Sequence, residues 1–174
     1  MLILTAVIAM LTTGSRPLLG VVPLFPAGEY DVPALTAGAG EAFRSSGRFE
    51  VVDLSGEPGF SGEAGTLAYR LREMAAARGV DFFMVLDVTS SDGGVAPSLP
   101  TDSLPPAFRT MVDLSARFYT SDAALIGTLR ETLWAEGFPA SLQSTALRGV
   151  ESLVARSLLE IFPMELTFTV SDGP

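Results

Sequence analysis

The residues able to do chemistry are few and of one kind. The chain has no His, Cys, Lys or Asn, and all 11 of its cations are Arg. Without His it lacks the commonest general base and transition-metal ligand. Without Cys there is no thiolate nucleophile and no disulfide, and without Lys no Schiff base or P-loop lysine. Carboxylates, hydroxyls, three Tyr and Arg remain. Ser45, Ser46, Ser90, Ser91 and Ser144 have no His or Lys to activate them, which argues against nucleophilic serine chemistry.

Three constellations are left to weigh. Asp53, Asp81 and Asp87 fall near the ends of predicted strands, where hard cations can bind at a sheet's switch point. Asp81 opens its strand while the other two close theirs, so turn and capping roles explain the three better than a shared metal. Glu131 and Glu136 could act as the paired carboxylates of a glycoside hydrolase, or simply line a solvated strand edge. Gly38-Ala39-Gly40 echoes a dinucleotide loop but lacks the third glycine and the strand before it, so close helix–sheet packing is the better reading. No cofactor and no metal is expected.

The elements that would position these residues follow from periodicity. Leu18 to Phe25 is an apolar run of strand length, the kind buried on both faces in a parallel sheet. Asp31 is placed to cap a helix over 32–46, with Pro33 in its first turn and Gly47 as its stop. Arg48 to Asp53 reads as a second strand and Leu54 to Gly62 as a turn-rich loop. Leu67, Leu71, Met74 and Ala75 form the stripe of a second helix over 63–78, and Val80 to Val88 a third strand. Residues 89–108, with Pro97, Pro100, Pro105 and Pro106, read as a long connection. Met111, Asp113, Ser115, Arg117 and Tyr119 alternate with Val112, Leu114, Ala116 and Phe118, and a turn at Thr120–Ala123 leads into Leu125–Trp134, which predicts an antiparallel hairpin. A helix from Pro139 to Phe162 and a last strand over 164–170 complete the series. The fold class is α/β: β-α-β-α-β, then a hairpin, a long helix and a last strand, with helices packed on a mixed sheet.

At 174 residues this is one domain, and the net charge of −9 repels phosphate backbones and anionic lipid, so no nucleic-acid partner is expected. Residues 1–15 carry no charge. Leu2 to Leu11 has the length of a signal-peptide core, with small residues at Thr13, Gly14 and Ser15; the competing reading is an extra strand, and residues 16–174 then form the domain.

Two word-like segments carry a family resemblance. Val22-Pro23-Leu24-Phe25 and Gly47-Arg48-Phe49-Glu50-Val51-Val52-Asp53 resemble the opening of the CsgG and TolB amino-terminal superfamily, which includes LpoB-like envelope proteins. Gly79-Val80-Asp81-Phe82-Phe83 is similar to that family's next strand, and the hairpin turn at Asp122 to its Asp-containing turn. The turn here reads Thr-Ser-Asp-Ala, and the lipid-modified Cys of such lipoproteins is absent, so neither a lipid anchor on Cys nor a disulfide is expected of this sequence. The resemblance implies a non-enzymatic protein of the bacterial periplasm or outer membrane that serves assembly, secretion or cell-wall machinery through protein partners, with a homo-oligomer compatible. A cytoplasmic address follows if residues 1–15 are a strand. Phe25, Tyr30 and Phe60, in predicted loops, and Leu99 and Leu104, isolated in the long connection, are the candidate partner-binding residues. A carboxylate-based hydrolase, a metal-assisted enzyme and a small-ligand sensor remain the alternatives.

Overall fold

A computed structural model describes residues 16–24, 30–57, 60, 64–95, 108–136 and 139–163. Five strands and three helices follow in the order β1 (Leu18–Pro23), α1 (Val32–Ser45), β2 (Glu50–Asp53), α2 (Ala64–Arg78), β3 (Phe82–Val95), β4 (Phe108–Thr120), β5 (Leu125–Glu136) and α3 (Pro139–Glu160). They build one mixed sheet of order β2-β1-β3-β4-β5. β1 pairs in parallel with β2 and β3, while β3, β4 and β5 form an antiparallel meander. Because β2 and β3 lie on opposite sides of β1, two crossovers of the same hand must put α1 and α2 on opposite faces. They do, and the expected α/β architecture is the observed one.

The inner face packs against α1 and α3. Leu19, Val21, Phe82, Met84, Leu86, Val88, Val112, Leu114, Ala116 and Phe118 point into it and meet Leu35, Ala39 and Phe43 of α1 and Val150, Leu153 and Val154 of α3. Phe162, just past α3, is the hub of an aromatic cluster: its ring centroid lies 5.0 Å from Phe49, 5.3 Å from Phe82 and 5.8 Å from Phe118, all edge-on. Edge-to-face geometry sets the positive ring edge against a negative ring face, about 0.5–1.5 kcal/mol per pair beyond the area buried. Arg48 fastens that corner, donating from Nη1 to the Leu158 carbonyl (2.9 Å) and from Nη2 to that of Phe162. A cation on the last carbonyls of a helix offsets its negative end. Burial lowers the Arg48 pKa from its usual value.

On the outer face α2 lays Leu67 and Leu71 over Val22, Leu54, Val80, Phe83 and Val85. The turn joining β4 to β5 is tied to this helix by Arg72 Nε, which donates to the Asp122 carbonyl (2.9 Å). Ala123 in that turn takes a left-handed backbone, φ 63°.

Local expectations hold at α1, where Asp31 Oδ1 accepts from the Ala34 amide (3.0 Å) and Gly47 follows the helix with φ 70°. Gly38 and Gly40 serve packing: a methyl on Gly38 would lie 3.1 Å from Leu147 of α3, and one on Gly40 3.4 Å from Val51 of β2. The long connection is shorter than expected. β3 continues seven residues past Val88, pairing Thr89↔Asp113, Ser91↔Met111 and Asp92↔Thr110, then Val95↔Phe108 after a register shift. Gly93 and Gly94 fall at that shift, where a bulge needs residues without side-chain constraints. The predicted last strand and residues 1–15 lie outside the described residues.

Candidate functional site

The outward side chains of the meander change character partway along. In β3 they read Phe83, Val85, Asp87, Thr89, Ser91, and in β4, running back, Tyr119, Arg117, Ser115, Asp113, Met111. Phe83, Val85 and Tyr119 belong to the layer under α2; the next outward residues, Asp87, Thr89 and Ser91 of β3 and Arg117, Ser115 and Asp113 of β4, are polar. An apolar outward row persists only where something covers it, so the switch marks the end of the helix's cover.

The register sets the side chains that no described helix covers in rows across three strands. Asp87, Ser115 and Arg130 form one, Thr89, Asp113 and Thr132 the next, and Ser91, Met111 and Trp134 the third. The first two rows line a cleft of about 290 Å³, with Leu114 and Glu131 also at its wall. Thr132 Oγ1 donates to Asp113 Oδ1 (2.6 Å), orienting that carboxylate. Among the described residues, the Asp87 carboxylate and the Arg130 guanidinium have no protein partner. Trp134, the chain's sole tryptophan, lies in the next row along, 54% exposed.

The sequence-derived candidates scatter. Tyr30, expected in a loop, is 7% exposed and belongs to the inner core, because the backbone enters α1 there and drives the ring against α3's layer. It is therefore no surface anchor. Phe60 is half-buried against the α2 layer. Phe25, Leu99 and Leu104 lie outside the described residues. Of the three aspartates, Asp53 Oδ1 accepts from the Ser55 amide (2.8 Å) and Asp81 Oδ2 from the Leu18 amide (2.8 Å), a turn role and a strand clamp. Asp87 alone reaches the cleft. Glu131 is not the solvated edge residue expected: it sits opposite Leu114 of the inner core, and its Oε2 is buried without a hydrogen-bond partner among the described residues. Among the described residues no three acidic side chains group so as to hold a metal ion, and no helix is long and apolar enough to cross a membrane. Arg130, Thr132 and Trp134 went unrecognised as site residues, although alternation already set all three on one side of β5.

The whole is a three-layer α/β/α domain with a five-stranded mixed sheet. No family model and no curated protein matches the chain. Solved structures do. The chain is similar to a PelC dodecamer from Paraburkholderia phytofirmans, with TM-score 0.50 and 12% identity over 83% of this chain and 85% of that one. It is also similar to lipoprotein GNA1162 from Neisseria meningitidis, with TM-score 0.48 and 17% identity over 83% of this chain and 98% of that one. The likeness to PelC is one of fold.

Proposed function

We propose that the protein is a non-enzymatic member of the CsgG/TolB-N kind, periplasmic or outer-membrane-associated in a bacterium, serving assembly, secretion or cell-wall machinery through protein contacts that include copies of itself. The observation that carries this reading is the apolar end of β5, the sheet's edge strand among the described residues. Leu125, at the start of β5, is 54% exposed, and Leu159 of α3 is 77% exposed. They lie at one end of the edge: a methyl built on Gly127 would meet Ile161 at 2.7 Å, and these two residues follow Leu125 and Leu159 by two positions each. Large exposed aliphatics at one end of a sheet edge are what protein interfaces cover.

The edge's backbone is less available. Arg156 Nη1 donates to the Arg130 carbonyl (3.1 Å), and Glu160 holds the same guanidinium through Nε (3.1 Å). A cation laid on an edge strand blocks strand-to-strand pairing, so side chains make the contact. The dodecameric state of PelC, which shares the fold, supports self-assembly. The uncharged apolar run over residues 2–11 supports the export address.

Native mass spectrometry with light scattering tests the reading. We expect a discrete oligomer that falls to monomer in Leu125→Glu/Leu159→Glu. A wild-type chain that stays monomeric across its accessible concentrations, with or without envelope extract, overturns it.

A further inference from the structure

We propose that the face of β3–β4–β5 left open among the described residues binds an uncharged saccharide, with the Trp134 indole as its stacking platform and Asp87, Asp113 and Arg130 as its hydroxyl-binding groups. The inference is independent of the oligomer reading, which rests on the other end of β5.

The chemistry of the lining selects the ligand class. The cleft's outward side chains, Asp87, Thr89, Asp113, Ser115, Arg130 and Thr132, are all hydrogen-bonding groups. Leu114, its apolar member, is 2% exposed and belongs to the inner core. An apolar protein anchor therefore finds no pocket here, since such anchors need a dry, apolar one. A polyhydroxylated ligand fits. Its hydroxyls are both donors and acceptors, and the cleft supplies acceptors at Asp87 and Asp113 and a donor fork at Arg130. Asp87 and Arg130 are unpartnered among the described residues, and Asp113 is already oriented by Thr132.

Trp134 supplies the other half of sugar recognition. It shares the face of Thr132 two residues away, and its cross-strand neighbour Met111 is half-buried. A large indole one row beyond these hydrogen-bonding side chains offers a flat apolar surface to the C–H face of a pyranose, while the ring's hydroxyl edge turns to the carboxylates. Strand spacing and rise make the three rows roughly 10 Å by 14 Å. The cleft of about 290 Å³ sits at the small end of ligand pockets, roughly 300–1,000 Å³. That is a site for a few sugar units.

Charge narrows the class further. Two aspartates face one arginine in the cleft, and the chain's net charge is −9, so uronic and sialic acids are repelled.

The single tryptophan makes the test direct, because all indole fluorescence reports the site. The folded chain is titrated with cellotriose, chitotriose, mannotriose and a galacturonic acid trimer. We expect a saturable emission change with at least one neutral trisaccharide and none with the galacturonate. By calorimetry on variants whose circular dichroism is unchanged, Asp113→Ala and Arg130→Ala should each weaken that binding about tenfold, as loss of a charge-assisted hydrogen bond does. Trp134→Ala should abolish it, with Trp134→Phe restoring part. The monomeric Leu125→Glu/Leu159→Glu variant should bind as the parent does. Absence of saturable change with all three neutral sugars overturns the proposal, as does undiminished binding in Trp134→Ala. An emission change driven by protein concentration alone, with no response to sugar, gives the face to a second copy and also overturns it.

Discussion

On the inner side of the sheet the apolar rows run unbroken along β3 and β4, from Phe82 to Val88 and from Phe118 to Val112. On the outer side they stop at Val85 and Tyr119, and the same two strands go on with Asp87, Thr89, Asp113 and Ser115. The strands are identical in both cases; the cover differs. α3 has 22 residues and follows the hairpin, with Gly149 seated against Leu114 and Leu133, whereas α2 has 15 and lies over the β1–β3 end. Two things follow: most of the stability resides inside, and the surface left for recognition is outside.

The largest effect should come from breaking the inner side at its hub. Phe162→Ala removes a ring that touches Phe49, Phe82 and Phe118, and should cost about 3–5 kcal/mol, read as a shift in the urea midpoint. Leu71→Ala, in the thinner outer layer, should cost about 2 kcal/mol, the low end for a buried leucine, because α2 itself can settle toward the sheet. Equal losses at both positions would show that the two layers carry similar weight.

The closeness of α3 to the sheet sharpens the comparison by overpacking. A methyl on Gly149 would already lie 2.6 Å from Leu114 Cδ1 and 3.1 Å from Leu133 Cδ1. Gly149→Val should therefore lower stability by about 1–3 kcal/mol, although valine is the better helix residue. At Gly65 of α2 nothing among the described residues lies within 4 Å of such a methyl, and Gly65→Ala should gain up to about 1 kcal/mol. Thermal midpoints of the pair check both signs.

A smaller effect is expected at the edge. Arg156→Ala frees the Arg130 carbonyl and should change stability little, since the Arg156–Glu160 pair is exposed. Its signature should be concentration-dependent association by light scattering, beyond that of the parent.

Most of the fold is legible in sequence because its signals are local. The α1 cap at Asp31, the Leu67–Leu71 stripe and the alternation of Met111 to Tyr119 each lie within one element. The continuation of β3 was hidden: Ser90, Ser91, Asp92, Gly93 and Gly94 have the composition of a loop, and only pairing with Thr110–Val112 makes them strand. The cleft was hidden for a related reason. Asp87, Asp113 and Arg130 come from three strands, and no short motif joins them. Asp87 was visible as a strand-end carboxylate, but its neighbours depend on a register that the β3 extension helps fix. Tyr30 shows the converse error, for a residue beside a loop turned inward once α1 closed over the sheet.

The smallest effect lies at the border between the two regimes, in the turn that Arg72 ties to α2. The Asp122 carboxyl is held below its ordinary pKa, chiefly by the hydrogen bond from Thr120 Oγ1; desolvation, the next cause in size, opposes the shift, and the backbone amides of Ala124 and Asp122 and then Arg72 add to it. A carboxyl whose folded-state pKa is depressed stabilises the fold above its unfolded-state pKa, and that contribution disappears as pH falls through the folded value. The group is exposed, so solvent screens most of the effect, and the change belongs in a site-resolved titration rather than a denaturation curve. Carboxyl-carbon NMR should show Asp122 titrating at lower pH than an unstructured aspartate. Thr120→Val should bring it most of the way back, and Arg72→Gln only a little. A larger return in Arg72→Gln would mean that the charge on α2, and not the turn's own hydroxyl, holds the carboxylate, and that the helix's influence on the outer face reaches past its packed residues.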